Sequence, residues 1–307
     1  MSKLKRRIFT FGCSFTSYAW PTWADLLGEE VEHYENWGLS GIGNRAIAER
    51  VVEAHVKNKF TKDDIVIVQW TTHLRHDFYN QSPTCLPDRL LGWKTSGSIF
   101  NYHNIKIYDQ KWLDTFFFEP AYLMHTFNHI ALTQGLLEST GCTWFMTSIG
   151  DVRNMGADIE DGLGHGETLL LTAEERGQSK LAWKKIPELE TYERLWTDYA
   201  DHWLEPISYT ANRNPEGFFW FQAKDDKNPW KETHPSPRQH NIWLQEQLKP
   251  RINLPVETTP GQKLIIDSID QLHRNNKHDK RKFDHLLQLA HFEKPSHFLW
   301  PRNYLGY

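Results

Sequence analysis

Cysteine is scarce in this chain. Cys13, Cys85 and Cys142 are the three among 307 residues, and their spacing is neither that of a metal-ligand pair nor an even disulfide framework. Reduced thiols are expected, and with them an intracellular setting. Long apolar runs are lacking too. No window reaches the ~18 continuous apolar residues of a membrane span. The apolar stretch after the basic opening Met1–Arg7 breaks at Gly12, too soon for a signal-peptide h-region. A soluble, cytoplasmic protein is expected, with no membrane partner. There is no excess of positive charge either: 35 Lys and Arg stand against 39 Asp and Glu, a net charge of −4. That balance argues against coating nucleic acid. Internal repeats and low-complexity tracts are absent as well, which excludes a solenoid or a linker-like chain.

What is present is an alternation of strand and helix patterns. Ile8–Phe11 reads as a strand, Pro21–Leu27 as a short helix opened by its proline, and Val31–Asn36 as a second strand. A glycine-punctuated loop over 37–44 then feeds a helix over Asn44–Lys57, with Ile47, Val51 and Ala54 on one face. Ile65–Trp70 is a continuous apolar run rich in β-branched residues, the type found in buried parallel strands. Further helices are expected over 120–138 and 188–204, with strands over Thr143–Thr147 and Phe218–Phe221. Residues 79–118 and 151–215 read as insertions, the first rich in aromatics and lid-like, the second beginning with a long loop. Ser236 followed by Pro237 is an N-cap signature for a last helix. The sum is a parallel α/β sheet covered on both faces: a three-layer α/β/α sandwich of the flavodoxin-like type over residues 1–255, with a helical C-terminal appendage over 256–307.

In such a sheet, sites gather beyond the carboxyl ends of the strands. Ser14 follows the first strand in the turn Gly12–Cys13–Ser14, Gly41 lies in the loop after the second, and Thr72, His73 and Arg75 follow the third. Glu232 and His234 stand just ahead of the last helix. Serine is a poor nucleophile until a base takes its proton, and the oxyanion then formed needs donors already in place. Taken singly, each element has an ordinary use as a turn, a cap or core packing. Their joint order is what argues for chemistry.

That order resembles the SGNH (GDSL-like) hydrolase family. Gly12–Cys13–Ser14–Phe15–Thr16 is similar to the block bearing the nucleophile. Ser40–Gly41, after Asn36–Trp37–Gly38, is similar to the block with the oxyanion glycine. Trp70–Thr71–Thr72–His73 stands where that family carries Gly-x-Asn-Asp, so Thr72 replaces an asparagine. Glu232–Thr233–His234 stands where it carries Asp-x-x-His, with Lys231 at the usual acid position and Glu232 one residue later. The resemblance implies a serine esterase that removes an acyl group such as acetate from a carbohydrate or another small ester. Ser14 would be nucleophile, His234 base and Glu232 orienting acid; Ser14, Gly41 and Thr72 would be the oxyanion donors, and no cofactor or metal would be needed. Trp37, Asn44, Trp70, His73 and Arg75 are candidate substrate-binding residues. Trp20 and Trp23, of the fourteen tryptophans, are further pocket candidates, although such rings chiefly fill cores. Two other readings stay open: an inactive SGNH-like binding module of a larger assembly, and a sugar O-acyltransferase.

Outside this set, His125 and His129 fall at i, i+4 on a helix, without the glutamate of a zinc-protease motif. The basic stretch over 273–282 reads as a solvated face that offers a protein partner a docking point through residues 256–307.

Overall fold

A computed structural model of the chain describes residues 4–80, 92–98, 110–116, 119–153, 185–222 and 229–289. Its centre is a parallel four-stranded sheet built from β1 (Leu4–Phe11), β2 (Val31–Asn36), β3 (Ile65–Trp70) and β6 (Thr143–Ser148), in the order β2-β1-β3-β6. Register is fixed along the sheet by the pairs Phe9↔Glu35, Phe9↔Val66 and Val66↔Trp144. The carboxyl ends Phe11, Asn36, Trp70 and Ser148 therefore share one edge. The chain leaves β1 toward opposite sides of the sheet to form β2 and then β3, so a switch point lies between β1 and β3.

Strand periodicity divides the core into two. Phe9, Phe11, Val66, Val68, Trp144 and Met146 face α2 (Asn44–Asn58) and α4 (Glu119–Thr140), where Ile47, Val51, Phe127 and Ile130 meet them. Ile8, Ile65, Ile67 and Phe145 face α1 (Trp23–Gly28), α6 (Ile207–Arg213) and α7 (Pro237–Trp243), through Trp23, Leu27, Ile207 and Trp243. Burial on both faces is why β3 reads as a near-continuous apolar run. The architecture is three-layer α/β with a helical C-terminal part, as the alternation predicts.

The later elements depart from the sequence reading. The helix expected over 188–204 is α5 (Glu190–Thr197) and a 3-10 turn at Ala200–His202. Beyond that turn the chain runs extended beside β6, where Trp203 bridges Met146 and the Leu204 N–H donates to the Met146 carbonyl at 2.8 Å. This short segment takes the place expected for Phe218–Phe221. Those residues contribute β7 (Trp220–Phe221) to an antiparallel ribbon with β8 (Trp230–Lys231). Alternation could not separate the two, because both are too brief to carry a readable period. The insertion expected over 79–118 starts earlier, at β4 (Arg75–Asn80), which forms a hairpin with β5 (Gly92–Ser98) and is followed by α3 (Gln110–Phe116). Most of the long loop expected from Asp151, along with Cys85 and the aromatic end of the chain, lies outside the described residues.

The tail is α8 (Pro260–Asn276) and α9 (Lys280–Leu289). It packs in a third cluster in which Ile269, Phe283 and Leu287 join Trp20, Phe219 and Phe221. Lys249, fully buried, pairs with Glu30 at 2.7 Å, and Gln262 donates to the Leu26 carbonyl at 2.8 Å, pinning the start of α8 to α1. Among the described residues, no helix is long and apolar enough to cross a membrane.

Candidate active site

The turn after β1 is built around Gly12. Its φ is +156°, and a Cβ there would stand 2.2 Å from the Thr16 hydroxyl and 2.8 Å from Gln69 Oε1, so a side chain has no room. The Cys13 carbonyl accepts from the Thr16 and Ser17 N–H groups at 2.9 and 3.0 Å, closing a helical turn that carries Ser14. The far end of the turn is tied down as well. Thr16 donates to Gln69 Oε1 at 3.0 Å, and its carbonyl accepts from Thr22 at 2.6 Å and from Asn36 Nδ2 at 2.9 Å.

Ser14 is 4% exposed, and its hydroxyl lies 3.0 Å from His234 Nε2. The other ring nitrogen, Nδ1, is 2.9 Å from Glu232 Oε1. A carboxylate only accepts, so Nδ1 carries the proton and Nε2 is left to accept from the serine. The same Glu232 oxygen accepts the His234 backbone N–H at 3.4 Å. Glutamate is one methylene longer than aspartate, which lets it reach the ring from two residues away instead of three. Tyr18 stacks on the imidazole, with centroids 3.8 Å apart and an interplanar angle of 15°, and Phe15 meets its edge at 5.5 Å. Trp20 donates to the Pro235 carbonyl at 3.0 Å, and Ser236 caps α7 in a capping box with Gln239. The histidine is thus held between two fixed points of the chain.

Electrostatics fit an ionised acid. Burial works to raise the Glu232 carboxyl, but the hydrogen bond and charge of His234, with the Lys280 ammonium, outweigh it and leave the group below its ordinary value. Burial also works to raise the Cys13 thiol, and there the Arg75 charge, the Phe15 N–H and the Thr71 and Ser14 hydroxyls win, lowering it. The positive field of Arg75 thus reaches the turn that carries Ser14. Tyr18 is pushed upward by burial and by Glu232 and Asp284, which keeps it a neutral phenol at physiological pH.

The loop after β2 lies against this turn, the Trp37 N–H donating to the Thr10 carbonyl at 2.7 Å and the Leu39 N–H to the Gly12 carbonyl at 2.9 Å. Gly41 has φ +86°, a left-handed conformation that favours glycine. Among the described residues, no protein acceptor takes the backbone N–H of Ser14 or Gly41. Thr72 Oγ1 accepts the Leu74 N–H at 3.3 Å, so its own proton is available to donate.

Several candidate binding residues have structural positions. Trp37 and Trp70 are fully buried, and their indoles donate to Glu35 at 2.7 Å and Met146 Sδ at 3.3 Å. Trp20 and Trp23 are also fully buried. Asn44 exchanges hydrogen bonds with the Thr71 backbone at 2.8 and 3.0 Å and donates to Thr126 at 3.1 Å. Arg75 donates to the Ile42 carbonyl at 2.8 Å, and His73 is buried. Together Asn44 and Arg75 bolt the second loop to the third.

Asp77, Tyr18 and Lys280 were not among the expected site residues, although Lys280 lies in the basic stretch over 273–282. The Asp77 carboxylate accepts the Gly43 and Ala46 N–H groups at 2.7 and 3.0 Å, capping α2 beside Gly41 from across the hairpin. Its signal was hidden because a cap supplied from outside the helix has no fixed spacing in sequence. Among the described residues, no group of three or more His, Cys, Asp or Glu side chains could hold a metal. Burial, then the charges of His125 and Arg45, lower His129 to about 4. Neither a protein-family model nor a curated protein matches the chain.

Proposed function

We propose that the protein is a serine esterase of SGNH type, removing an acyl group such as acetate from a carbohydrate or another small ester. The Ser14–His234–Glu232 relay, with contacts of 3.0 and 2.9 Å, is the observation that carries this reading. A hydroxyl, an imidazole in the right tautomer and a buried carboxylate in line form the arrangement that activates serine. Ser14 Oγ attacks the ester carbonyl carbon while its proton passes to His234 Nε2, and Glu232 stabilises the imidazolium. The oxyanion takes the N–H groups of Ser14 and Gly41 and the Thr72 hydroxyl, in the field of Arg75. Collapse of the intermediate breaks the carbon–oxygen bond, and the leaving alcohol takes the proton from His234. Water, deprotonated by the same ring, then releases the acid and restores Ser14. The aromatic group of His76, Trp112 and Tyr122 beside the third loop offers apolar surface of the kind that receives a sugar face.

Fluorophosphonate labelling with mass mapping tests the proposal. A single adduct on Ser14 is expected, absent in Ser14→Ala and strongly reduced in His234→Ala. A folded protein that takes no label sinks the hydrolase reading. With label in place, acetate release from acetylated sugars, with and without acceptor sugars, separates hydrolysis from acyl transfer.

A further inference from the structure

Glu232 uses one oxygen for His234. The other, Oε2, lies 3.7 Å from the Nζ of Lys280, the first residue of α9. The torsion that turns a carboxylate plane is broad and roughly two-fold, and both His234 bonds fall on Oε1, so they leave the setting of the second oxygen poorly fixed. An ammonium within ion-pair range of the opposite oxygen favours one setting of it. The ammonium also offsets the cost of holding an ionised carboxylate that is 8% exposed. Lys280 is itself held: it pairs with Asp284 one turn on, and lies 5.4 Å from the Phe221 ring centroid and 5.9 Å from that of Phe283. The platform beneath it is anchored to the catalytic segment. Phe283 packs on Trp20 and Phe219, Trp20 grips Pro235, and the Glu232 N–H donates to the Phe219 carbonyl at 2.9 Å. The Gln222 N–H donates to the Lys277 carbonyl at 2.9 Å, closing the frame.

We propose that Lys280 is a positioning residue of the catalytic relay, carried in by the C-terminal helices to orient Glu232 and keep it charged. The basic stretch over 273–282 is then partly an internal device: His273 binds the Trp220 carbonyl at 2.9 Å and stacks on Phe219, and Lys280 faces the acid. The proposal rests on the serine-esterase reading above.

Its test is the rate of fluorophosphonate labelling against pH in the full chain, for the unaltered protein, Lys280→Met, Lys280→Arg and Asp284→Asn. The groups facing Glu232 are His234, Lys280 and Tyr18, with Asp284 beyond the lysine, so these set the profile. In Lys280→Met, labelling at neutral pH should fall about tenfold. The acid limb should move up by about one pH unit, the effect of one charge at this distance in a largely aqueous dielectric. Lys280→Arg should restore most of both. Asp284→Asn, which leaves the fold's apolar contacts intact and frees the ammonium toward Glu232, should move the limb the other way. Unchanged profiles in Lys280→Met, or an upward shift in Asp284→Asn, overturn the proposal. The low-field Nδ1 proton resonance of His234, recorded on the same samples, separates the two readings. If the unaltered protein takes no label, the esterase reading fails. A resonance lost in Lys280→Met and regained in Lys280→Arg would still support the positioning role, whereas one unchanged by the substitution overturns it.

Discussion

Glu232 does with length what an aspartate does with spacing. Its Oε1 accepts both the ring and the backbone N–H of His234, an arrangement that fits a glutamate two residues before the histidine. Aspartate at 232 would fall short by about 1.5 Å, one carbon–carbon bond. Glu232→Asp should therefore lose nearly as much labelling rate as Glu232→Gln, about 10²–10⁴-fold, since a misoriented imidazole or the wrong tautomer forfeits most of a triad's advantage. The double substitution Lys231→Asp with Glu232→Gln, which puts an acid three residues before the ring, should recover part of that loss. Stopped-time mass spectrometry of the adduct reads all three. A Glu232→Asp protein that labels at the normal rate would show that the acid's reach is unimportant.

At the scale of elements, the tail is a clamp on the segment that carries Glu232 and His234. Phe283 is fully buried among Trp20, Phe219 and Phe221, and these three lie on the segment after Ser14 and on the stretch that leads into Glu232. Phe283→Ala should destabilise the fold by about 3–5 kcal/mol, the usual cost of emptying an aromatic site in a core. It should also slow labelling at temperatures where the protein stays folded, because the ribbon loses its support. Denaturant melts and labelling at low temperature check the two effects. A melt unchanged by the substitution would mean that the tail is a separable appendage. The helices nearer the sheet were legible because their local signals agree with their packing: Ser236–Pro237 begins α7, and the apolar face of α2 begins at Asn44. The ribbon of β7 and β8 was not, since two-residue strands carry no period to read.

For the whole molecule, buried ionisable groups set the response to acid. His240 is lowered to about 3, first by burial and then by the charge of His234, and His129 to about 4. Unfolded histidines take up protons near pH 6.5. Between that value and the depressed folded values, the unfolded state binds more protons, and stability falls as pH falls. For buried His240 alone the slope is ~1.4 kcal/mol per pH unit. Glu232 and Asp64 are lowered carboxylates; for Asp64, burial is outweighed by Arg7 and Thr61. Their contribution is complete above the unfolded carboxylate value and is lost as pH drops through the folded ones, so it adds to the loss only below about 4.5. The melting temperature should be level above about pH 7, decline from about 6.5, and fall more steeply below 4.5. His240→Phe should flatten the first decline. A Tm that stays level down to pH 5 would contradict buried neutral histidines.

The order of strands and helices was already determined along the chain, because each element buries a face that its own periodicity spells out: the β-branched run Ile65–Trp70, and Ile47, Val51 and Ala54 on α2. The residues that meet at the sheet's edge were legible from the same order, since parallel strands deliver their following loops to one side. Tertiary structure alone decided which residues meet at the candidate site and which fill the core. Trp37, Trp70 and Asn44 stand beside candidate donors in sequence yet are spent on packing and on joining loops. Asp77 and Lys280 reach the site from a hairpin and a distant helix. Contacts between residues so far apart depend on how layers stack and where helices dock. No local spacing records that, because the free energy that fixes it is shared over the whole core.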